Sequence, residues 1–213
     1  MENVKVFGKF EKRDNLIFRH SAYLQWRTSE KSLGSFLLLN PGNALPSTGV
    51  VEEGEARFYE TKIDPTMRQM IRLVKKIYEN NDLNGRVHIY NLFSLRNTVA
   101  NEAIPRFEEL VKEKQINLLE SIADPQTLQQ HPWICCAWGI NTKSSYKNLQ
   151  RAKQEWKQRI REVGIPMFGK MHKNKKDYYH LLPKIYQMKV AIIDDLYELY
   201  QKKVVNKELE KQR

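Results

Sequence analysis

The chain has 213 residues, with 36 Lys and Arg against 25 Asp and Glu, a net charge of +11 and two cysteines. That length suits one domain with a sizeable core, no apolar run approaches the about 18 residues of a spanning helix, and the charged, alternating N-terminus MENVKVFGKFEKRDN is unlike a leader. A monomeric cytoplasmic protein without membrane association is expected, and the adjacent Cys135 and Cys136 suit neither a structural disulfide nor the spaced ligands of a zinc site.

The charge is unevenly placed. Residues 1–140 hold 18 Lys and Arg against 17 Asp and Glu, whereas residues 141–213 hold 18 against 8. A one-sided basic surface fits either a polyanionic partner such as nucleic acid or a solvated Lys-rich face.

In chain order, Val4–Phe10 alternates and Leu16–Trp26 follows the turn EKRDN, so an antiparallel hairpin is expected at one sheet edge. Phe36–Leu39, flanked by Ser35, is wholly apolar, the mark of a central strand covered on both faces, and stops at Asn40-Pro41-Gly42. Pro41 cannot donate to a ladder and Gly42 tolerates positive φ, so the chain turns sharply there. Asn43–Lys62 has no period and reads as a long loop over the strand edge. Asp64-Pro65 then announces a helix, with Asp as N-cap and Pro at its first position, followed by Met67, Met70, Ile71, Val74 and Ile77 at helical spacing.

Asn84-Gly85 turns the chain into a second short strand, Arg86–Asn91, with Leu92–Asn97 as the loop after it. Pro105–Ala123 is amphipathic and ends before Asp124-Pro125, and Trp133–Trp138 is a third apolar strand closed by Gly139. Tyr146–Val163 reads as a helix with an apolar stripe and a Lys/Arg-rich remainder, Ile165–Phe168 as a fourth strand, Gly169–Tyr179 as a basic loop and Pro183–Lys202 as a last helix. The expected fold is therefore one α/β domain over residues 1–203 with a frayed tail over 204–213. Its core is a three-layer arrangement: a mostly parallel central sheet of about four strands, helices on both faces and the N-terminal hairpin. Asn40, Asn91 and Gly139 then meet on the carboxyl rim, where open α/β sheets bind ligands.

Familiar catalytic motifs are missing: there is no GxGxxG, Walker loop, HExxH or GxSxG, and no pair of carboxylates spaced for acid and base work. The rim offers amides, histidines and cations instead. Asn40 either orients a water or ligand carbonyl or caps its own turn; Asn91 has the same two readings. Arg96 is an anion contact or a salt-bridging residue. His172 and His180 lie in the loop after the fourth strand, where an imidazole would stabilise a developing anion. In the same loop Lys170, Lys173, Lys175 and Lys176, with Tyr178 and Tyr179, make the mixture that grips phosphates and stacks on bases, or else a plain solvated loop.

The motifs L-N-P-G at 39–42, D-P-T-M-R at 64–68, Y-N-L-F-S-L-R at 90–96 and A-W-G at 137–139, in that order, resemble the bacterial family called domain of unknown function 1643, over residues 16–183. The closing G-x-P-x-H-P-L-Y motif of that family is replaced by KDYYHLL at 176–182, which keeps the His as His180 and loses the Gly and both prolines. The family in turn is similar in layout to uracil-DNA glycosylases. That second likeness implies a uracil-DNA-glycosylase-like fold, a water held by Asn40, a base read by Asn91 with Pro41, Gly42, Phe93, Trp138 and Gly139 around it, and His180 aiding departure of the base. Phe58 or Tyr59 would be the stacking aromatic, with no metal or cofactor. The implied activity is hydrolysis of an N-glycosidic bond in nucleic acid, DNA ahead of RNA. A non-catalytic nucleic-acid-binding protein and an enzyme of free nucleotides are the alternatives.

Overall fold

A computed structural model describes residues 4–79, 82–97, 99–183 and 186–206. The elements run β1 (Val4–Arg13), β2 (Leu16–Trp26), β3 (Ser32–Leu38), β4 (Gly54–Thr61), α1 (Pro65–Tyr78), β5 (Gly85–Asn91), α2 (Ala100–Lys112), α3 (Pro125–Gln129), β6 (Ile134–Cys136), α4 (Lys147–Val163), β7 (Met167–Phe168) and α5 (Tyr186–Tyr200), which passes into a π-helical turn over Gln201–Val205.

The expected sheet of about four mostly parallel strands is corrected: seven strands form one mixed sheet in the order β4-β1-β2-β5-β3-β6-β7. Its parallel half is β5-β3-β6-β7. The N-terminal hairpin is not a separate flap, because β2 pairs antiparallel with β5 and continues the sheet. β4 comes out of Asn43–Lys62, which the sequence presents as an unstructured loop; β1 is its one strand neighbour among the described residues, and Pro46 bridges to Thr61 on its other side. As an edge strand it leaves most of its residues exposed and is held chiefly by backbone bonds, so no core-facing face imposes an alternating pattern.

On β3 the apolar run works as period 2 predicts for a strand covered twice. Phe36 and Leu38 pack with α1 and α5 through Met70, Val74, Ile193 and Leu196. Leu37 faces the opposite layer with α2 and α4, through Phe107, Leu110, Trp156 and Ile160. Asp64 caps α1 by accepting the Met67 N–H (2.8 Å), and Asp124-Pro125 repeats that signature at α3, where the sequence shows it only as a stop. The second expected helix starts earlier and ends earlier than Pro105–Ala123, with Pro105 inside it. Residues after Lys112 keep apolar spacing because turns fold Ile116 and Leu118 back under the same layer.

The last described turn buries Val204, and residues 207–213 of the expected tail lie outside the described residues. Among the described residues no helix is long and apolar enough to cross a membrane.

One close approach sets the spacing of β3 and β6. Gly34 sits at φ +138°, and a Cβ there would fall 2.1–2.5 Å from the indole of Trp133, a ring that also stands edge-on to Phe36. Gly34→Ala is expected to cost about 1–3 kcal/mol, the usual range for overpacking a tight core, read as a lower urea midpoint at unchanged m-value. An unchanged midpoint would mean that Trp133 moves aside freely.

Candidate functional site

The site is built at the carboxyl ends of β3 and β6. Where β3 stops, Leu38 and Leu39 carbonyls accept the N–H groups of Leu92 (2.9 Å) and Phe93 (3.3 Å), which fixes the chain leaving β5 beside the Asn40-Pro41-Gly42 turn. Gly42 occupies φ +66°, a left-handed conformation in which its missing side chain serves backbone freedom and not space. Asn40 is half-buried, and its Nδ2 is buried without a hydrogen-bond partner among the described residues.

Opposite it lies His180, 140 residues on, delivered by the segment after β7. That segment folds back on the β6 end through bridges of Tyr178 with Gly139 and Met171. Its anchor is Asp177, buried and hydrogen-bonded to Lys153 Nζ of α4 (2.5 Å), to the Trp138 indole N–H (3.3 Å) and to Asn174 Nδ2 (2.8 Å). Burial works to raise the Asp177 pKa, but its bonds to Lys153 and Asn174 and the Lys153 charge hold it below 3.8.

The His180 Nδ1 accepts the Leu182 N–H (3.0 Å), so the neutral ring carries its proton on Nε2 and presents a donor there. Burial keeps its pKa below 6.5 against the pull of Asp64.

Asn40 and His180 together form a wall between two chambers. The larger, about 530 Å³, lies between Trp138, Gly139, Tyr179, Met188 and Ile192 and is mostly apolar. The smaller, about 180 Å³, lies between the turn, β2 and the first turn of α1. Beyond Asn141, which the larger chamber shares, a polar cleft of about 580 Å³ runs between α4 and residues 174–177 and is lined by Lys143, Lys153, Lys157 and Lys176. The Lys157 ammonium also sits 5.4 Å from the Trp138 ring and 5.5 Å from that of Tyr178, which joins cleft and chamber.

Of the residues named from sequence, Asn40, Trp138, Gly139, Lys170 and His180 line the larger chamber, and Pro41 and Gly42 line the smaller. Others lie elsewhere. Asn91 is 2% exposed, lines neither chamber and accepts a bond from Arg19 Nη2 (3.3 Å), because β2 lies alongside β5. Phe93 stacks on Phe107 (4.4 Å) in the core under α2. The Arg96 guanidinium holds the carbonyls of Ala44 (2.9 Å) and Asn43 (3.3 Å), stapling the loop after the turn.

Phe58 and Tyr59 lie on β4, at the far edge of the sheet. In the basic loop, Lys170 pairs with Asp195 of α5 and His172 packs on Tyr179 (5.4 Å), whereas Lys173, Lys175 and Lys176 are exposed. Among the described residues no group of three His, Cys, Asp or Glu is placed to hold a metal.

Arg19 and the Lys153–Asp177 pair are what sequence reasoning missed. β1 and β2 carry a bulge that leaves His20 without an opposed residue, since Lys9 faces Ser21 and Phe10 faces Arg19. The bulge shifts the alternation, so Arg19 turns toward the α1 side, a phase the residue pattern does not reveal. Lys153 differs from its solvated neighbours on α4 only in its place on the buried stripe, beside Leu149, Ala152 and Trp156.

Replacing Lys153 by Met is expected to cost about 3–5 kcal/mol, because it strands a buried carboxylate, and Lys153→Met with Asp177→Leu should recover much of that. The pH sign follows from the depressed Asp177 pKa. Its stabilisation is present above the unfolded value of about 3.9 and is lost as pH falls through the lower folded value. Urea midpoints of the single and double variants against pH check both statements.

A family model described as a protein of unknown function, DUF1643, matches residues 56–181, more than half of the chain. The match takes in Asp64, Trp138, Gly139 and His180 and starts after the Asn40 turn. No curated protein matches the chain, and no solved structure does, so these comparisons carry no likeness to uracil-DNA glycosylases. The chain belongs to the DUF1643 family.

Proposed function

We propose that the rim site hydrolyses an N-glycosidic bond in nucleic acid, DNA ahead of RNA, or in a nucleotide. The observation that supports this reading is the meeting of Asn40 and His180, from opposite ends of the chain, on one chamber of nucleobase scale. The base enters the apolar chamber between Trp138, Tyr179 and Ile192. Asn40, whose amide nitrogen has no partner among the described residues, steadies the attacking water. As water oxygen bonds to C1′ and gives up a proton to solvent, the glycosidic bond breaks and its electron pair leaves with the base. The Nε2–H of a neutral His180 stabilises that anion as it forms. The base later takes a proton from solvent. This is the chemistry that the resemblance to uracil-DNA glycosylases implies, with Asn91 removed from base reading by its burial against Arg19.

The lysine-rich cleft beyond Asn141 supplies the track for phosphates, and a target base reaches the chamber by leaving its stack. The same cleft favours the second reading, a nucleic-acid-binding protein without catalysis.

Single-turnover base release separates them, with oligonucleotides carrying uracil, mismatched thymine, hypoxanthine or alkylated bases, and with free nucleotides. Asn40→Ala and His180→Ala should each slow release about a hundredfold to a thousandfold, with binding nearly unchanged, since Asn40 acts on the water and His180 on charge that develops only as the bond breaks. No release of any base by the wild type would leave the binding reading.

Binding itself should weaken with salt. Replacing the exposed Lys173, Lys175 and Lys176 by Ala should flatten the plot of log affinity against log salt by about 0.9 for each duplex phosphate that these lysines neutralise. An unchanged slope would move the footprint off this loop.

A further inference from the structure

The smaller chamber holds a group that bond hydrolysis does not use. Arg19 is 3% exposed, and its Nε and Nη1 are buried with no hydrogen-bond partner among the described residues; Nη2 alone is engaged, by Asn91. A guanidinium in such a place is ordinarily paired, because an ion taken out of water without compensation is costly. Burial already drags its pKa down to about 10, with Asp64 opposing.

Around it the chamber is dominated by donors. Asn40 Nδ2 is also buried and unpartnered, and α1, a 14-residue helix, points its N-terminus at the same space through Pro65, Thr66 and Met67. The ionisable groups facing Arg19 are Asp64 and His180. Asp64 does not pair with Arg19, and its Oδ1 is committed to the cap of α1. His180 has its one acceptor nitrogen filled by Leu182, so it too can only donate when neutral. Arg19 and Asn40 thus bring unpartnered side-chain N–H groups to a space of about 180 Å³, and of the first turn of α1 Thr66 alone has an N–H to add, since Pro65 has none and Asp64 holds that of Met67.

We propose that this chamber is a receptor for a compact oxyanion, a carboxylate or a terminal phosphate, seated on Arg19 with Asn40 and the N-terminus of α1. The size admits an anionic end group, and the excess of donors over acceptors requires an acceptor-rich occupant. The Asn91 bond occupies one nitrogen of the guanidinium and leaves the others for the ligand. The proposal does not rest on N-glycosidic hydrolysis: an anion seat stands whether or not any base is released.

The test is thermal unfolding and calorimetric titration of the full chain with inorganic phosphate, with acetate, and with a nucleoside beside its 5′-monophosphate, ionic strength held constant with chloride. The wild type should show a saturable upward shift with phosphate or acetate. Phosphate alone, with the monophosphate binding and the nucleoside not, identifies a phosphate end; acetate alone identifies a carboxylate.

Arg19→Met should abolish the shift, and its ligand-free midpoint should equal or exceed that of the wild type, because an unpartnered buried charge is gone. Asn91→Leu should keep the shift. Arg19→Lys, which retains charge but not the planar fork, should weaken affinity at least tenfold, and it carries the test if Arg19→Met does not fold.

The proposal is overturned if no oxyanion shifts the wild type saturably, or if Arg19→Met or Arg19→Lys binds as the wild type does. It is also overturned if Asn91→Leu loses the response together with Arg19→Met, which would make Arg19 a structural anchor.

Discussion

The buried pair of Lys153 and Asp177 is the constraint on which the site depends. Both side chains are nearly inaccessible, at 3% and 2% exposure, so neither charge has water to fall back on. Their attraction offsets desolvation only because the remaining donors are also in place: the Trp138 indole and the Asn174 amide complete the carboxylate, and the Asn141 carbonyl accepts a further Lys153 N–H (3.2 Å). That cluster ties α4, the end of β6 and the segment after β7 at one point. Tyr178 follows directly and bridges to Gly139, and two residues later His180 stands across from Asn40. The position of an imidazole at the rim is therefore a consequence of an ion pair that does not itself line the chamber.

Charge on this protein means different things at different depths. The basic excess of the C-terminal third is real in the sequence, yet its members are spent unequally. Lys153 is neutralised by Asp177, Lys170 by Asp195, and Lys157 rests over aromatic faces while donating to the Lys176 carbonyl (2.8 Å). Among the described residues of that third, Lys143, Lys147, Arg161, Lys173, Lys175, Lys176 and Lys202 are exposed and in no ion pair, and Lys143 and Lys176 line the cleft. Exposed charges of that kind act through long-range attraction screened by salt, whereas the guanidinium of Arg19 is buried where screening is weak.

The antiparallel half of the sheet has a role that its peripheral place in the chain conceals. The β2–β5 ladder runs from Trp26 and Gly85 to Ala22 and Ile89, and beyond it Arg19, turned by the bulge at His20, meets the buried Asn91 side chain. The mixed topology thus brings a guanidinium to the α1 side of the Asn40 turn.

The sequence alone determined the layers and the location of the rim. Wherever an element buries one face or two, its period is forced by geometry, which is why the apolar runs at Phe36–Leu39 and Trp133–Trp138, the stripe of α1 and its Asp64-Pro65 start are readable, and why Asn40, Gly139 and His180 could be named together. Tertiary structure decided what local pattern does not encode. β4 carries no signature because an edge strand is held by backbone bonds; the side Arg19 faces depends on one extra residue in a bulge; the partner of Lys153 is set by a contact spanning 24 residues. Asn91 and Phe93 read as site residues because strand ends converge, but whether a side chain at such an end faces ligand or core is decided by which strand lies next to it.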